Sequence, residues 1–204
     1  MQADPSAPRP LERERRDFVL RELQAGWRVL DLGCGDGRFT GAIAAAGAAS
    51  VVGVDISAEA IGRASASYPS LEVREIAVGE GLPFADGEFD CVFCSEVIGQ
   101  VVDVVGLLSE ARRVLKPGGR LLLTTPYHGR LKSVLTALVG FERQFSVWQP
   151  QLRFFTKRSL GELVGGFGFE ELLIRAVGGR VLVRDSLFLA ATRASYAVSG
   201  RSAP

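Results

Sequence analysis

The chain alternates between two patterns of apolar residues. Nearly uninterrupted apolar runs open at Val29 and occupy 51–55, 89–94 and 120–126, and residues 71–76 read as a further strand. Such runs suit strands covered on both faces, as in a parallel sheet. Between them lie segments with helical spacing. Residues 11–23 carry apolar positions at 11, 18, 19, 20 and 23 among arginines and glutamates, ahead of Gly26. Residues 39–46 are alanine-rich and stop at Gly47. A stripe at 104, 107, 108, 111, 114 and 115 follows Asp103, a natural N-cap, and stops at Lys116-Pro117-Gly118-Gly119. Near the end, Thr156 caps a helix with Leu160, Leu163, Val164 and Phe167, closed by Gly168. Residues 169–175 and 186–192 then read as two strands joined around Gly178-Gly179. Strand and helix in alternation predict an α/β domain.

The chemistry concentrates where the first strand ends. Asp31-x-Gly33-x-Gly35-x-Gly37 places glycine at every second position of a strand-to-helix loop, which permits positive φ and close backbone approach to a ligand. A dinucleotide loop requires G-x-G-x-x-G, and counted from Gly33 its last position is Arg38. An ordinary glycine-rich turn remains the plain alternative. The actual spacing resembles motif I of the class I S-adenosylmethionine (AdoMet)-dependent methyltransferases. AdoMet has no phosphate, and the resemblance implies that an acidic residue near the strand end, here Asp31, meets its ammonium group. The second strand ends in Asp55, whose two oxygens suit both hydroxyls of a ribose. The alternative is a turn-capping aspartate, although Ser57 already stands ready to cap the next helix, with Glu59 in its first turn.

Two further stretches resemble the same superfamily in the expected order. One is Leu82-Pro83-Phe84 through Asp86, Phe89 and Asp90; the other runs from Arg112 to Leu123 through Lys116-Pro117-Gly118-Gly119. The resemblance, nearest to the methyltransferase type 11 domain and a branch similar to ubiquinone-biosynthesis O-methyltransferases, implies a Rossmann-like, mostly parallel seven-stranded sheet. Its order would be 3-2-1-4-5-7-6, with helices on both faces. It also implies a cofactor site of Asp31, Gly33, Cys34, Gly35, Gly37, Asp55, Ile56, Val78, Gly79 and Ser95. Val78 stands where many relatives carry an adenine-binding aspartate, so adenine recognition falls to backbone and apolar contacts. Gln100 stands where relatives often carry a histidine facing the substrate; an amide can orient a hydroxyl but is no base at neutral pH.

Composition narrows the classes. The 204 residues suffice for one α/β domain, and 47% hydrophobic against 23% charged residues describes a globular chain. A net charge of +1 offers no field for steering towards nucleic acid. Three cysteines, Cys34, Cys91 and Cys94, suit a reducing compartment. Cys91 and Cys94 have CxxC spacing, but on a strand residues three apart point to opposite faces. Neither a signal peptide nor a membrane span is apparent, so the expected location is cytoplasmic. No His and carboxylate cluster calls for a metal. Residues 1–10, with three prolines, read as a disordered tail, 11–194 as the domain and 195–204 as a flexible tail.

Residues 126–155 follow strand five, where the superfamily places a substrate cap. Leu131, Val134, Leu135, Leu138 and Val139 share a helical face. Such a face ordinarily packs on its own domain, with a dimer contact or a membrane surface as alternatives. Beyond Gly140 come Phe141, Phe145, Trp148, Phe154 and Phe155, which either line an acceptor pocket or anchor the cap. Gln100, Tyr127, Phe145, Trp148 and Phe154 are the candidate substrate residues. His128, the single histidine, is the candidate general base. The expected reaction is transfer of the methyl group to a small-molecule hydroxyl, leaving S-adenosylhomocysteine (AdoHcy), by a monomer or homodimer. Carbon or nitrogen methylation, a non-catalytic AdoMet-binding module and, less compatibly with Arg38, a nicotinamide oxidoreductase stay open.

Overall fold

The computed structural model describes residues 11–127, 129, 134, 151–179 and 185–195. Twelve elements follow one another: α1 (Glu12–Glu22), β1 (Arg28–Leu32), α2 (Arg38–Ala45), β2 (Ser50–Asp55), α3 (Ala58–Ser67), β3 (Glu72–Glu75), β4 (Phe89–Ser95), α4 (Val104–Val114), β5 (Leu115–Pro126), α5 (Lys157–Gly166), β6 (Phe169–Val177) and β7 (Ser186–Arg193). The strands form one seven-stranded sheet in the order β3-β2-β1-β4-β5-β7-β6. All neighbours are parallel except β7, which runs antiparallel to both β5 and β6. This is the expected topology.

The uninterrupted apolar runs have the expected consequence, because both faces of the central strands are buried. Val29, Val51, Cys91, Phe93 and Leu122 pack on one side with Phe18 and Val19 of α1 and Ile43 of α2. Their strand neighbours Leu30, Val52, Val92, Cys94 and Leu121 pack on the other with Leu108 and Ala111 of α4 and Leu160 and Val164 of α5. Cys91 and Cys94 therefore lie on opposite faces, as residues three apart on a strand must. Three predicted caps are formed. Ser57 Oγ accepts from Ala60 N–H, Asp103 from Gly106 N–H, and Thr156 forms a capping box with Ser159.

Boundaries differ in two places. Strand three is shorter than predicted, running from Glu72 to Glu75, although Ile76 N–H still donates to Asp55 O of β2 at 2.9 Å. The stop at Lys116-Pro117-Gly118-Gly119 is not a loop between α4 and β5. Leu115 already pairs with Phe89, and the register shifts by the time Cys91 meets Arg120, so the glycines absorb an irregularity within β5. Residues 1–10, most of 128–150 and 196–204, including the two predicted tails and most of the predicted cap, lie outside the described residues. No helix among the described residues is long and apolar enough to cross a membrane.

The two downstream motifs turn out to be clamps that hold the sheet together. Arg113 of α4 donates to the carbonyls of Leu82 and Phe84 at 2.9 and 2.8 Å and pairs with Asp86 and Glu110. Glu110 in turn accepts from Leu82 N–H at 2.6 Å. Asp90 joins β1 to β5, accepting from Arg28 N–H at 2.9 Å and from Lys116 Nζ at 2.6 Å. These hydrogen bonds and the Lys116 charge outweigh desolvation and hold the Asp90 carboxyl below its ordinary range. The LPF and KPGG runs thus fix the frame in which the carboxyl ends of β1, β2 and β4 are aligned.

Candidate functional site

The sheet order reverses direction between β1 and β4, and in open α/β sheets a ligand crevice opens outside the carboxyl ends of strands at such a point. The loop after β1 is drawn across this crevice by the end of β2. Gly33 and Cys34 N–H both donate to Val54 O, at 2.8 and 2.9 Å. Gly35 N–H donates to Asp55 Oδ2 at 2.9 Å, while Ser57 N–H donates to Oδ1 at 3.0 Å. Asp55 therefore holds the turn, the plainer of the two readings, and each of its oxygens retains a lone pair for a further donor. Gly33 has φ +82° and packs so closely on Val97 that a Cβ there would overlap Cγ2 of that valine. Gly37, at φ +80°, sits against Ala64 and Tyr68 and opens α2 without a side-chain cap.

The resulting cleft has about 480 Å³ of open space. Its floor is Gly33, Cys34, Gly35 and Asp36, and its walls are Ser95 and Glu96 after β4, Arg38 and Phe39 of α2, and Glu12 and Arg15 of α1. Of the predicted cofactor residues, Gly33, Cys34, Gly35 and Ser95 meet in this cleft, with Asp55 bonded to its floor. Ile56 follows Asp55 and, like Val78, is an exposed large apolar side chain, 59% and 78% exposed respectively; neither is among the residues lining the cleft. Gly79 follows at φ +82°.

Asp31 is placed differently from the expectation that it meets an ammonium group. It is 1% exposed, lies beneath the loop between Gly53 and Phe93 of the neighbouring strands, and accepts from Thr40 Oγ1 at 2.7 Å. It is not among the residues that line the cleft. Burial raises its pKa to about 7, opposed by the Thr40 hydrogen bond and reinforced by the Asp55 carboxylate. An acid whose proton is held more tightly in the folded state contributes full stability below its unfolded pKa near 3.8 and loses it as pH climbs towards 7. Relative to Asp31→Asn, the ligand-free wild type is expected to lose roughly 2–4 kcal/mol between pH 4 and pH 8. Denaturant titrations of both proteins across that range measure it, and a constant difference would contradict it.

The cysteines show no sign of reactivity. All three are buried, and burial pushes their thiols upward, that of Cys94 to about 12. Among the substrate candidates, the exposed Gln100 donates Nε2–H to Glu96 O at 2.8 Å, which turns it back on its own loop. Tyr127 continues β5 and bridges to Phe155, its N–H donating to Asp185 O at 2.8 Å. Phe154 is partly exposed whereas Phe155 is buried, so Phe155 anchors the segment. His128, Phe145 and Trp148 lie outside the described residues.

Sequence reasoning missed Glu12, Arg15, Asp36, Arg38, Phe39 and Glu96 as site residues. Residues 11–23 read only as an amphipathic helix, yet the charged face of α1 reaches the loop: Arg38 pairs with Glu12 and with Asp36, each at 3.0 Å. Glu96 follows an apolar strand directly, at the position where a doubly wound sheet opens its crevice, and that was the available signal.

A Rossmann-like sheet in this strand order, with a glycine loop clamped by a carboxylate at the end of β2, is the fold of AdoMet-dependent methyltransferases. A family profile described as a methyltransferase domain matches residues 30–123. The chain is 36% identical over 133 residues to the ubiquinone biosynthesis O-methyltransferase of Dechloromonas aromatica, covering 63% of this chain and 56% of that protein. It is 31% identical over 186 residues to the ubiquinone/menaquinone biosynthesis C-methyltransferase of Geotalea uraniireducens, covering 79% of each. A SAM-dependent methyltransferase of Methanosarcina mazei superposes with a TM-score of 0.67 over 87% of this chain and 97% of its own, at 22% identity. The chain belongs to the SAM-dependent methyltransferase family.

Proposed function

We propose that the chain transfers the methyl group of AdoMet to a hydroxyl of a small molecule, releasing AdoHcy. The observation that carries the reading is the Gly33–Gly35 turn, fixed by Asp55 and Val54 at the point where the sheet reverses. Gly33, Gly35 and Asp55 would hold the nucleoside end, with the exposed Ile56 and Val78 offered to a flat apolar ring. When bound, AdoMet supplies a methyl group already activated by its sulfonium charge. The chain's own task is alignment, which contributes roughly 7–11 kcal/mol in well-oriented systems. A base adds about 10²–10⁴-fold where the acceptor is a hydroxyl. His128 is the proposed base, on its sequence position just past β5.

Support for an oxygen acceptor comes from the relatives named as O-methyltransferases and from the aromatic segment at 141–155. Carbon methylation is the second reading. It is favoured by the longer match to a C-methyltransferase and by Gln100, whose amide is occupied by Glu96 O and takes no proton. A screen of phenolic, hydroxylated and enolic small molecules, followed by AdoHcy release, separates the two. Mass-spectrometric placement of the new methyl on oxygen is the expected result. Placement on carbon selects the second reading, and absence of both AdoHcy and methylated product throughout a broad screen points to a binding module.

A further inference from the structure

We propose that the outer edge of β6 is a pairing surface for a second copy of this chain, the two edges meeting antiparallel about a two-fold axis at Leu173. The inference is independent of the methyl-transfer reading. β6 closes one end of the sheet, and among the described residues no strand pairs with its outer side. Open edges are templates for further pairing, and folded proteins ordinarily blunt them with short strands and charge. The opposite edge has that protection. β3 is four residues long, three of them charged, and its Arg74 pairs with Glu72. β6 is nine residues long and carries Leu173, 44% exposed, at its middle.

The two faces of β6 differ. Leu172, Ile174 and Ala176 pack against the core on the α5 side, whereas Glu171, Leu173 and Arg175 alternate with them and are exposed. Glu171 reaches its place through a bulge. The register to β7 shifts between Glu170 and Leu173, and Glu171 has φ +52°, in the left-handed region that suits glycine. Its carboxylate accepts from Thr192 Oγ1 at 2.8 Å, and Arg120 donates to that same hydroxyl at 2.8 Å while pairing with Glu22 of α1. The bulge thus puts a negative charge on the α1 side of β6, two residues before Leu173, as Arg175 puts a positive one two residues after it. Arg175 makes no ion pair among the described residues.

Backbone direction determines how two such edges can meet. Val177 O accepts from Asp185 N–H, on the β7 side. In an extended strand alternate residues turn their polar groups the same way, so Leu173 and Arg175 are also directed to β7. Leu172, Ile174 and Ala176 therefore present N–H and C=O outwards. With the axis at Leu173, Leu172 forms a hydrogen-bonded pair with the partner's Ile174, twice by symmetry. Leu173 meets the partner's Leu173 as the intervening non-hydrogen-bonded pair, in which side chains approach closest. Glu171 comes opposite the partner's Arg175, again twice.

Each of these contacts is complementary, apolar on apolar at the axis and opposite charges on both flanks. Moving the axis to Ile174 would set Leu173 against the partner's Arg175 and leave Glu171 opposite the partner's Val177. The charge pattern selects the register as well as the partner. Pairing would also bury Leu173, the exposed apolar side chain that an edge strand otherwise leaves in water.

Sedimentation velocity on the full chain, from about 1 to 200 μM, tests the proposal. A short edge pairing predicts a reversible dimer with a dissociation constant on the order of 10 μM. Arg175→Glu sets like charges together at both flanks and is expected to weaken the dimer about 10–100-fold. Glu171→Arg should do the same, and the double variant Glu171→Arg/Arg175→Glu should return to within about threefold of the wild type. Leu173→Lys brings two cations together at the axis and serves where a Glu171 variant does not fold. None of these residues lines the cofactor cleft, so AdoHcy affinity should stay within about twofold throughout. Leu173→Cys should cross-link two copies under mild oxidation and Arg175→Cys should not, since the paired positions at the axis lie within disulfide reach and the three native cysteines are buried. A chain that stays monomeric up to about 200 μM, a dimer indifferent to Arg175→Glu and Leu173→Lys, or a double variant no tighter than either single one would overturn the inference. So would cross-linking by Arg175→Cys in place of Leu173→Cys. None of these outcomes bears on AdoMet binding.

Discussion

Replacing Gly33 with alanine is expected to weaken AdoHcy binding by at least about 100-fold and to lower the thermal midpoint. Two independent effects converge on this residue. The backbone sits at φ +82°, where an L side chain costs roughly 1–2 kcal/mol. The added methyl would also overlap Val97 Cγ2, and that valine is held by the turn in which Gln100 N–H donates to Val97 O at 2.8 Å. Relief requires the loop to lift, which breaks the paired N–H donation from Gly33 and Cys34 to Val54 O. Two comparisons isolate the cause. Gly47→Ala, at φ +93° with nothing within 4 Å, reports backbone strain alone and should leave binding unaffected. Gly35→Ala meets nothing within 4 Å in the protein, so it should disturb stability less than Gly33→Ala while still obstructing the cleft that its Cβ would enter. Near-normal AdoHcy affinity in Gly33→Ala, measured by calorimetry, would show that this close approach is not needed for the cofactor.

Asp55→Ala is the second change with a large expected effect, a loss of roughly 10–100-fold in AdoHcy affinity. Its carboxylate accepts from Gly35 N–H at 2.9 Å and from Ser57 N–H at 3.0 Å, and hydrogen bonds to a charged group are worth about 1.5–3 kcal/mol each. Truncation removes the acceptors proposed for the ribose and also releases the floor of the cleft. Asp55→Asn separates these roles. Its one amide oxygen can serve Gly35 or Ser57 but not both, so an intermediate loss is expected. Adenosine titrations should reproduce the loss, since adenosine retains the ribose. An unchanged adenosine and AdoHcy affinity in Asp55→Ala would remove the ribose assignment and leave Asp55 as a turn-forming residue.

How far the sequence carried is clearest at particular residues. The succession of strands and helices was legible because strands covered on both faces are continuously apolar and because Ser57, Asp103 and Thr156 announce helix starts by local chemistry, whereas the strand order came from the family resemblance. The loop was legible because positive φ and close approach demand glycine. Asp31 was misjudged for a tertiary reason: its position reads as the strand end, but β2 and β4 flank it and Thr40 closes over it. Arg15 and Glu96 escaped because their meaning lies in a contact between residues 15 and 96, which no local pattern encodes. The LPF and KPGG runs marked the family, whereas their physical work is to secure α4 and β5 through Arg113, Glu110 and Asp90.

The central claim is that this cleft holds AdoMet rather than a dinucleotide. Calorimetric titration of the purified chain with AdoMet, AdoHcy and NAD tests it most directly. Saturable binding of both sulfur nucleosides at one site per chain, with no heat from NAD, is the expected result; saturation by NAD with no response to AdoMet or AdoHcy would contradict it.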